Sequence, residues 1–336
     1  ALPISLNTSP NSTKAGYMIG ILDIDTWPVF VRFNQRTSIQ KEVAERLANI
    51  YDQAGFKFVY FDGAEDVPPP YWYNVSKAQL DLYNAFKDKP IFSEGACKSH
   101  FSWHILTRGN AFDIFRPEVI KEATRIHPAA EARLVSNDFT GIDFGWIGYV
   151  APDKSTIGIQ PDMLEYITSR AAGWNSIISF IGNLDQLKAH PRTKDNLEVI
   201  RRWEDVRARD ILTTEQKKEL QTSEQEHILL INENGNYELL PYRQIANVAN
   251  GSREIRAFIF ERNHKVWVVY WHISGETNIK LPVDSKDIKL FEELGKETPI
   301  EESHNEVNLP AGNRRYVQFN LPQEKVIEIF SRAILQ

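Results

Sequence analysis

The stretch from Thr37 to Asp66, TSIQKEVAERLANIYDQAGFKFVYFDGAED, leaves few folds open to the chain. Thr37 has the chemistry of a helix cap, and Gln40, three residues on, completes a capping box. Ile39, Val43, Leu47, Ile50 and Ala54 recur at helical spacing, which predicts one apolar helix face. Gly55 stands where helices usually end in a left-handed residue. The run FKFVYF from Phe56 to Phe61 is too uniformly apolar for a strand with one wet face. Such runs belong to parallel strands covered by helices on both sides. The run stops at Asp62-Gly63, with Glu65 and Asp66 close behind. Carboxylates just past the C-terminal end of a buried parallel strand lie where barrels and open α/β sheets build active sites. A plain strand-ending Asp-Gly turn fits the same residues.

The flanking sequence repeats the pattern. Residues 1 to 15 are rich in Ser, Thr, Asn and Pro and read as a loose segment. Tyr17 to Asp25 reads as a buried strand ending in Asp23 and Asp25, followed by Trp27 and Pro28. After Asp62, PPPYWYN (68 to 74) reads as a rigid aromatic loop carrying Trp72, and Ser76 to Phe86 as a helix. Pro90 to Ala96 is a further strand with Glu94 near its end. Cys97 to Asp113 is a polar and aromatic connection holding Lys98, His100, Trp103, His104 and Arg108. A helix over 117 to 126 and a short strand over 132 to 135 follow, the latter running into Asp138. Asp143, Trp146 and Tyr149 fall in the next loop. Pro161-Asp162 opens a helix to 172, Ser176 to Ile181 is another strand, and Lys194 to Arg209 a long helix with Leu197, Ile200, Trp203 and Val206 on one stripe.

Alternating strand and helix is the pattern of a parallel sheet or a (β/α)8 TIM-type barrel. A complete barrel takes about 250 residues, more than precede the change of character near residue 213. The expectation is therefore a barrel over 1–212, irregular at its start or present as its C-terminal portion. From 226 to 336, β-branched and aromatic runs alternate with Gly, Asn, Asp and Pro turns, and an antiparallel β-sandwich is expected there.

Composition removes several function classes. The net charge of −6 carries no long basic run, which argues against a nucleic-acid partner. Cys97 is the sole cysteine, so neither a disulfide framework nor a thiolate metal site is available. No apolar run is long enough for a membrane span, and Ala1 opens no signal-peptide pattern. The chain reads as a mature form or as part of something longer. Sequons at Asn7, Asn11, Asn74 and Asn250 are too short a pattern to decide anything. No GxGxxG, P-loop or GxSxG occurs, which lowers the case for dinucleotide, phosphate or serine-hydrolase chemistry.

What remains is carboxylates at strand ends: Asp25, Asp62, Glu94 and Asp138. In a barrel all would open onto one face. Glycosidic bond cleavage needs two carboxyl groups flanking the bond, in environments different enough that one stays ionised and the other keeps its proton. Metal binding competes for the same residues. His100 and His104 are spaced i, i+4, yet no third histidine lies near and HExxH is absent, which argues against zinc. Clustered carboxylates leave magnesium or calcium open, and no metal or other cofactor is assigned. Lys98, His100, Trp103 and Arg108 suit an anionic or hydroxyl-rich substrate, or a solvated surface loop.

The strand ending YFDG and the later run Arg133 to Asp138 resemble retaining α-glycosidases of the α-galactosidase and α-N-acetylgalactosaminidase superfamily. The resemblance implies a nucleophile at Asp62, from the Asp that ends a barrel strand, and an acid/base at Asp138. The RRWED helix at 201 to 205 and the YWHISGETNIKLP and GNRRYVQF strands resemble the tail of a bacterial polysaccharide-degrading hydrolase with an antiparallel β domain behind its barrel. α-L-Fucosidase-like enzymes, which also use an Asp-Gly nucleophile, fit Asp62 equally. The expectation is a secreted or periplasmic glycoside hydrolase of a complex carbohydrate, retaining if the resemblance holds, with Glu94 as substitute carboxylate. Asp25, Trp27, Glu65, Trp72, Lys98, His100, Trp103 and Arg133 are expected to bind substrate. A polysaccharide lyase or a non-catalytic carbohydrate-binding protein is the alternative.

Overall fold

The computed structural model describes residues 6–7, 16–18, 30–32, 37–61, 72–95, 104–110, 113–126, 141–222, 224–301 and 303–336. The chain divides into two compact units, Ala1–Phe112 with His127–Gly145, and Asp113–Ile126 with Trp146–Gln336.

In the first unit β1 (Leu6–Asn7), β2 (Gly16–Met18) and β3 (Phe30–Arg32) form an antiparallel sheet. Helix α1 (Ser38–Ala54) starts behind Thr37 and stops at Gly55, whose φ of 70° is the left-handed residue expected there. Thr37 makes no side-chain cap bond, and Gln40 is buried instead of closing a capping box. The buried stripe also differs in phase from the expected one. Gln40, Ala44, Ala48 and Tyr51 face inward, while Ile39 is 47% and Ile50 59% exposed. The period is helical as predicted, but packing selected the small residues. Ala44 and Ala48 let α1 approach α2 (Trp72–Ala85) closely, and the Tyr51 and Phe86 rings meet at 4.3 Å.

Strand β4 (Phe58–Phe61) pairs parallel with β5 (Phe92–Gly95), β5 with β6 (Arg108–Asn110), and β6 with the start of β7 (Gly141–Gly148). This in-order parallel row is what strand and helix alternation predicts. β4 is less covered than its sequence implied: Phe61 is buried, but Phe58 is 47% exposed, because β4 is the first strand of the row. β6 and β7 occupy stretches expected to be connections. Thr107 to Asn110 lacks any apolar alternation, and the neighbouring strands draw it into the sheet.

In the second unit the end of β7 lies beside β8 (Ile177–Ile181), with Tyr149 N donating to Ile181 O. A single 3₁₀ turn, Pro117–Val119, leads into α3, described over 120–126. Helix α4 (Pro161–Gly173) is buried along its whole length. It packs against α6 (Thr193–Ala208), α7 (Thr214–Thr222) and β9 (Glu226–Ile231), after the short α5 (Leu184–Ala189). α6 buries Asn196, Val199, Trp203 and Val206, whereas Leu197 from the expected stripe is 48% exposed.

The large antiparallel sheet expected in the last third is present. It runs in the order β15 (Lys296–Thr298), β14 (Ile288–Glu293), β17 (Arg315–Phe319), β12 (Lys265–His272), β11 (Ile255–Arg262), β10 (Tyr237–Gln244), β9. Asn263 and His264, both at positive φ (51° and 57°), form the tight turn from β11 to β12. Alternation along β12 separates two cores. Val266, Val268 and Tyr270 pack against the small sheet of β13 (Thr277–Leu281), β16 (Val307–Ala311) and β18 (Ile334–Leu335), together with α9 (Gln323–Ser331) behind the one-turn α8 (Val248–Gly251). Trp267, Val269 and Trp271 belong to the opposite face. That face is tied to α4 by polar bonds: Trp271 Nε1 donates to Gln160, and Arg256 pairs with Asp162.

Candidate active site

The registers of β4, β5 and β6 decide which side chains share a face in the first unit. Phe58 lies opposite Phe92, Tyr60 opposite Glu94, and Glu94 opposite Arg108. Side chains alternate between faces along a strand, so Tyr60, Glu94 and Arg108 form one row across three strands. Val59 and Phe61 occupy the other face, where they pack with α1 and α2. The row therefore lies on the side of the sheet away from those helices. Glu94 is only 4% exposed. Phe58 and Phe92 stack at 5.2 Å on the same face, and the Arg108 guanidinium sits 5.1 Å from the Phe92 ring centroid.

Glu94 is the one expected catalytic carboxylate among the described residues, and the site is built outward from it. Asp62 is the residue after Phe61, the last of β4, so it follows the strand's C-terminal end, but Asp62 itself lies outside the described residues. So do Asp138, Asp25, Trp27, Glu65, Lys98, His100, Trp103 and Arg133. Trp72 begins α2 instead of lying in the rigid loop expected for it. Arg108, read as part of a connection, is a strand residue in register with Glu94. Sequence reasoning missed Tyr60 altogether, although its two-residue offset from Asp62 in an apolar strand is visible. Among the described residues no group of three His, Cys, Asp or Glu side chains is placed to hold a metal ion. No helix there is long and apolar enough to cross a membrane.

Chemically, a buried carboxylate beside a phenol and a guanidinium on one sheet face can accept hydrogen bonds from substrate hydroxyls or exchange a proton with a bound group. Phe58 and Phe92 add a stacked aromatic pair to the same face.

No family model and no curated protein matches the chain. Among solved structures it is similar to a GH27 β-L-arabinopyranosidase from Geobacillus stearothermophilus, at 12% identity and a TM-score of 0.41, over 91% of this chain and 67% of that one. It is also similar to an α-amylase from H. orenii, at 12% identity and 0.33, over 95% and 73%. A putative α-galactosidase from Bacteroides fragilis gives 11% and 0.31, over 83% and 58%. TM-scores this low do not equate folds, and the architecture above stands on the chain's own strands and helices.

Proposed function

We propose that the protein is a glycoside hydrolase that cleaves a glycosidic bond in a complex oligo- or polysaccharide with two carboxyl groups. The observation that carries the reading is Glu94, a carboxylate 4% exposed on parallel strand β5, in register with Tyr60 and Arg108 and away from the covering helices. Parallel α/β sheets place their reacting groups at the C-terminal ends of their strands, and Asp62 comes directly after β4 in the chain. Asp62 is assigned as nucleophile and Asp138 as acid/base, with Glu94 their substitute if either proves structural. Residues 1–212 are read as a (β/α) barrel of TIM type or its C-terminal portion, and 226–336 as the β-sandwich behind it. The protein is placed outside the cytoplasm, secreted or periplasmic.

The test is a panel of aryl glycosides and plant or host glycans given to the wild type and to Asp62→Asn. The reading expects turnover of at least one glycoside and its loss in Asp62→Asn with the fold retained, since the two side chains are isosteric. Products absorbing in the ultraviolet as unsaturated uronides would instead mark a lyase. Glycan binding equal in both proteins, with no turnover in either, would mark a binding protein.

A further inference from the structure

His190 and His272, both in the second unit, are 2% and 7% exposed. His190 caps the end of α5 and stands two residues before Arg192, which caps the start of α6. Its Nε2 bonds Ile159 O at 2.6 Å, and its Nδ1 accepts the Arg192 backbone N–H at 3.0 Å. A carbonyl only accepts, so this ring is neutral with its proton on Nε2. His272 ends β12, and its Nδ1 accepts the backbone N–H groups of Ser274 at 3.2 Å and Gly275 at 2.6 Å. These bonds fix the same tautomer and hold the turn from β12 to β13 over the ring. Gly275 lies so close that a Cβ there would stand 2.9 Å from His272 Cε1.

Arg192 joins the two histidines. Its buried guanidinium donates to Gly275 O at 3.4 Å and to Asn313 Oδ1 at 2.8 Å. The α5–α6 junction thus clasps the β12–β13 turn through one arginine, whose own N–H rests on His190 and whose acceptor Gly275 rests on His272. Asp195 and Glu276 answer the Arg192 charge. A proton added to either ring goes to Nδ1, because Nε2 already holds one. It turns an acceptor into a donor facing backbone N–H groups and sets a second positive charge near Arg192. Burial, and Arg192 with it, holds both rings below the ordinary 6.5, His190 at about 4. Of the charged neighbours only Glu254 opposes this, at His272. The Tyr149 ring, 5.5 Å from that of His190, is uncharged.

We infer that His190 and His272 make this clasp an acid-sensitive latch, whose protonation frees the β12–β13 turn from the α5–α6 junction while the large sheet stays folded. The inference does not depend on the hydrolase reading. A ring kept neutral in the closed form and free to protonate near its ordinary value in the open form favours opening as pH falls below 6.5. Nitrogen NMR of the full chain carrying ¹⁵N-labelled histidine, at about pH 7.5, is expected to show both rings as the Nε2–H tautomer. Amide exchange, corrected for its intrinsic pH dependence, follows the opening itself. Between about pH 7 and about pH 5, exchange at Ser274 and Gly275 is expected to quicken about tenfold, while Val268 and Val269 in the middle of β12 stay protected. His272→Asn puts an amide oxygen in the place of Nδ1 that does not titrate, and is expected to lose most of that rise. An Nδ1–H tautomer at either ring, equal protection of the turn at both pH values, opening of the turn only together with β12, or an undiminished rise in His272→Asn would each overturn the inference. The first three readings need no variant.

Discussion

Asp162 is the second residue of α4 and is fully buried, at 0% exposure. Arg256 grips its two oxygens at 2.8 and 2.6 Å, and Lys121 approaches at 2.7 Å while also reaching Glu226. Burial pushes the Asp162 carboxyl up, but Arg256 and Lys121 outweigh it and hold it at about 2 against an ordinary 3.8. Asp162→Asn keeps the shape and removes the charge, leaving two cations facing a neutral amide. Breaking a buried pair from one side costs about 3–5 kcal/mol, and that is the loss expected at neutral pH. Because the folded-state value is depressed, the ionic contribution is complete above 3.8 and is lost as pH falls through about 2. The shift corresponds to about 2 kcal/mol. Urea unfolding followed by tryptophan fluorescence reads the second unit, where Trp203, Trp267 and Trp271 are buried. The gap between wild type and variant is expected to narrow by about 2 kcal/mol between neutral pH and pH 2. An unchanged midpoint at neutral pH, or a gap that does not narrow in acid, refutes the argument.

Trp203→Phe removes the 2.6 Å bond from Nε1 to buried Glu165 and is expected to cost about 1.5–3 kcal/mol, measurable by the same unfolding assay. Gly158→Ala places a methyl 2.5 Å from Pro152 N at a φ of 66°, and a fall in melting temperature well beyond that of a surface Gly→Ala control is expected. His190 is buried, with its ring bonded to Ile159 O, and desolvation lowers it from 6.5 to about 4. Its neutral form is the folded one, so stability falls as pH drops from 6.5 toward 4, and His190→Gln is expected to flatten that part of the profile.

The sequence was most readable where neighbours matter least. Gly55 ends α1 because a left-handed φ suits glycine in any context, and β12 and β17 coincide with their apolar runs, Lys265–His272 and Arg315–Phe319. Phase was less readable than period. Ile39 and Ile50 were expected inside α1 and are exposed, because the inward line goes to whichever residues let α2 approach, here Ala44 and Ala48. β6 and β7 were unreadable for a related reason. A polar run such as Thr107 to Asn110 becomes a strand only when Glu94 and Gly95 offer it a partner, and that pairing is long-range. Of the candidate site, the Glu94 position at a strand end was legible from its own segment. Its alignment with Tyr60 and Arg108 depends on register between strands, which no single segment encodes.

The central claim is that Asp62 acts as the nucleophile of a glycosidase. The direct measurement is to incubate the protein with a panel of activated 2-deoxy-2-fluoro glycosides, digest it, and map any covalent adduct by mass spectrometry. The account predicts a single glycosyl adduct on the peptide containing Asp62, absent in Asp62→Asn. An adduct on any other residue, or glycoside turnover that persists in Asp62→Asn, contradicts it.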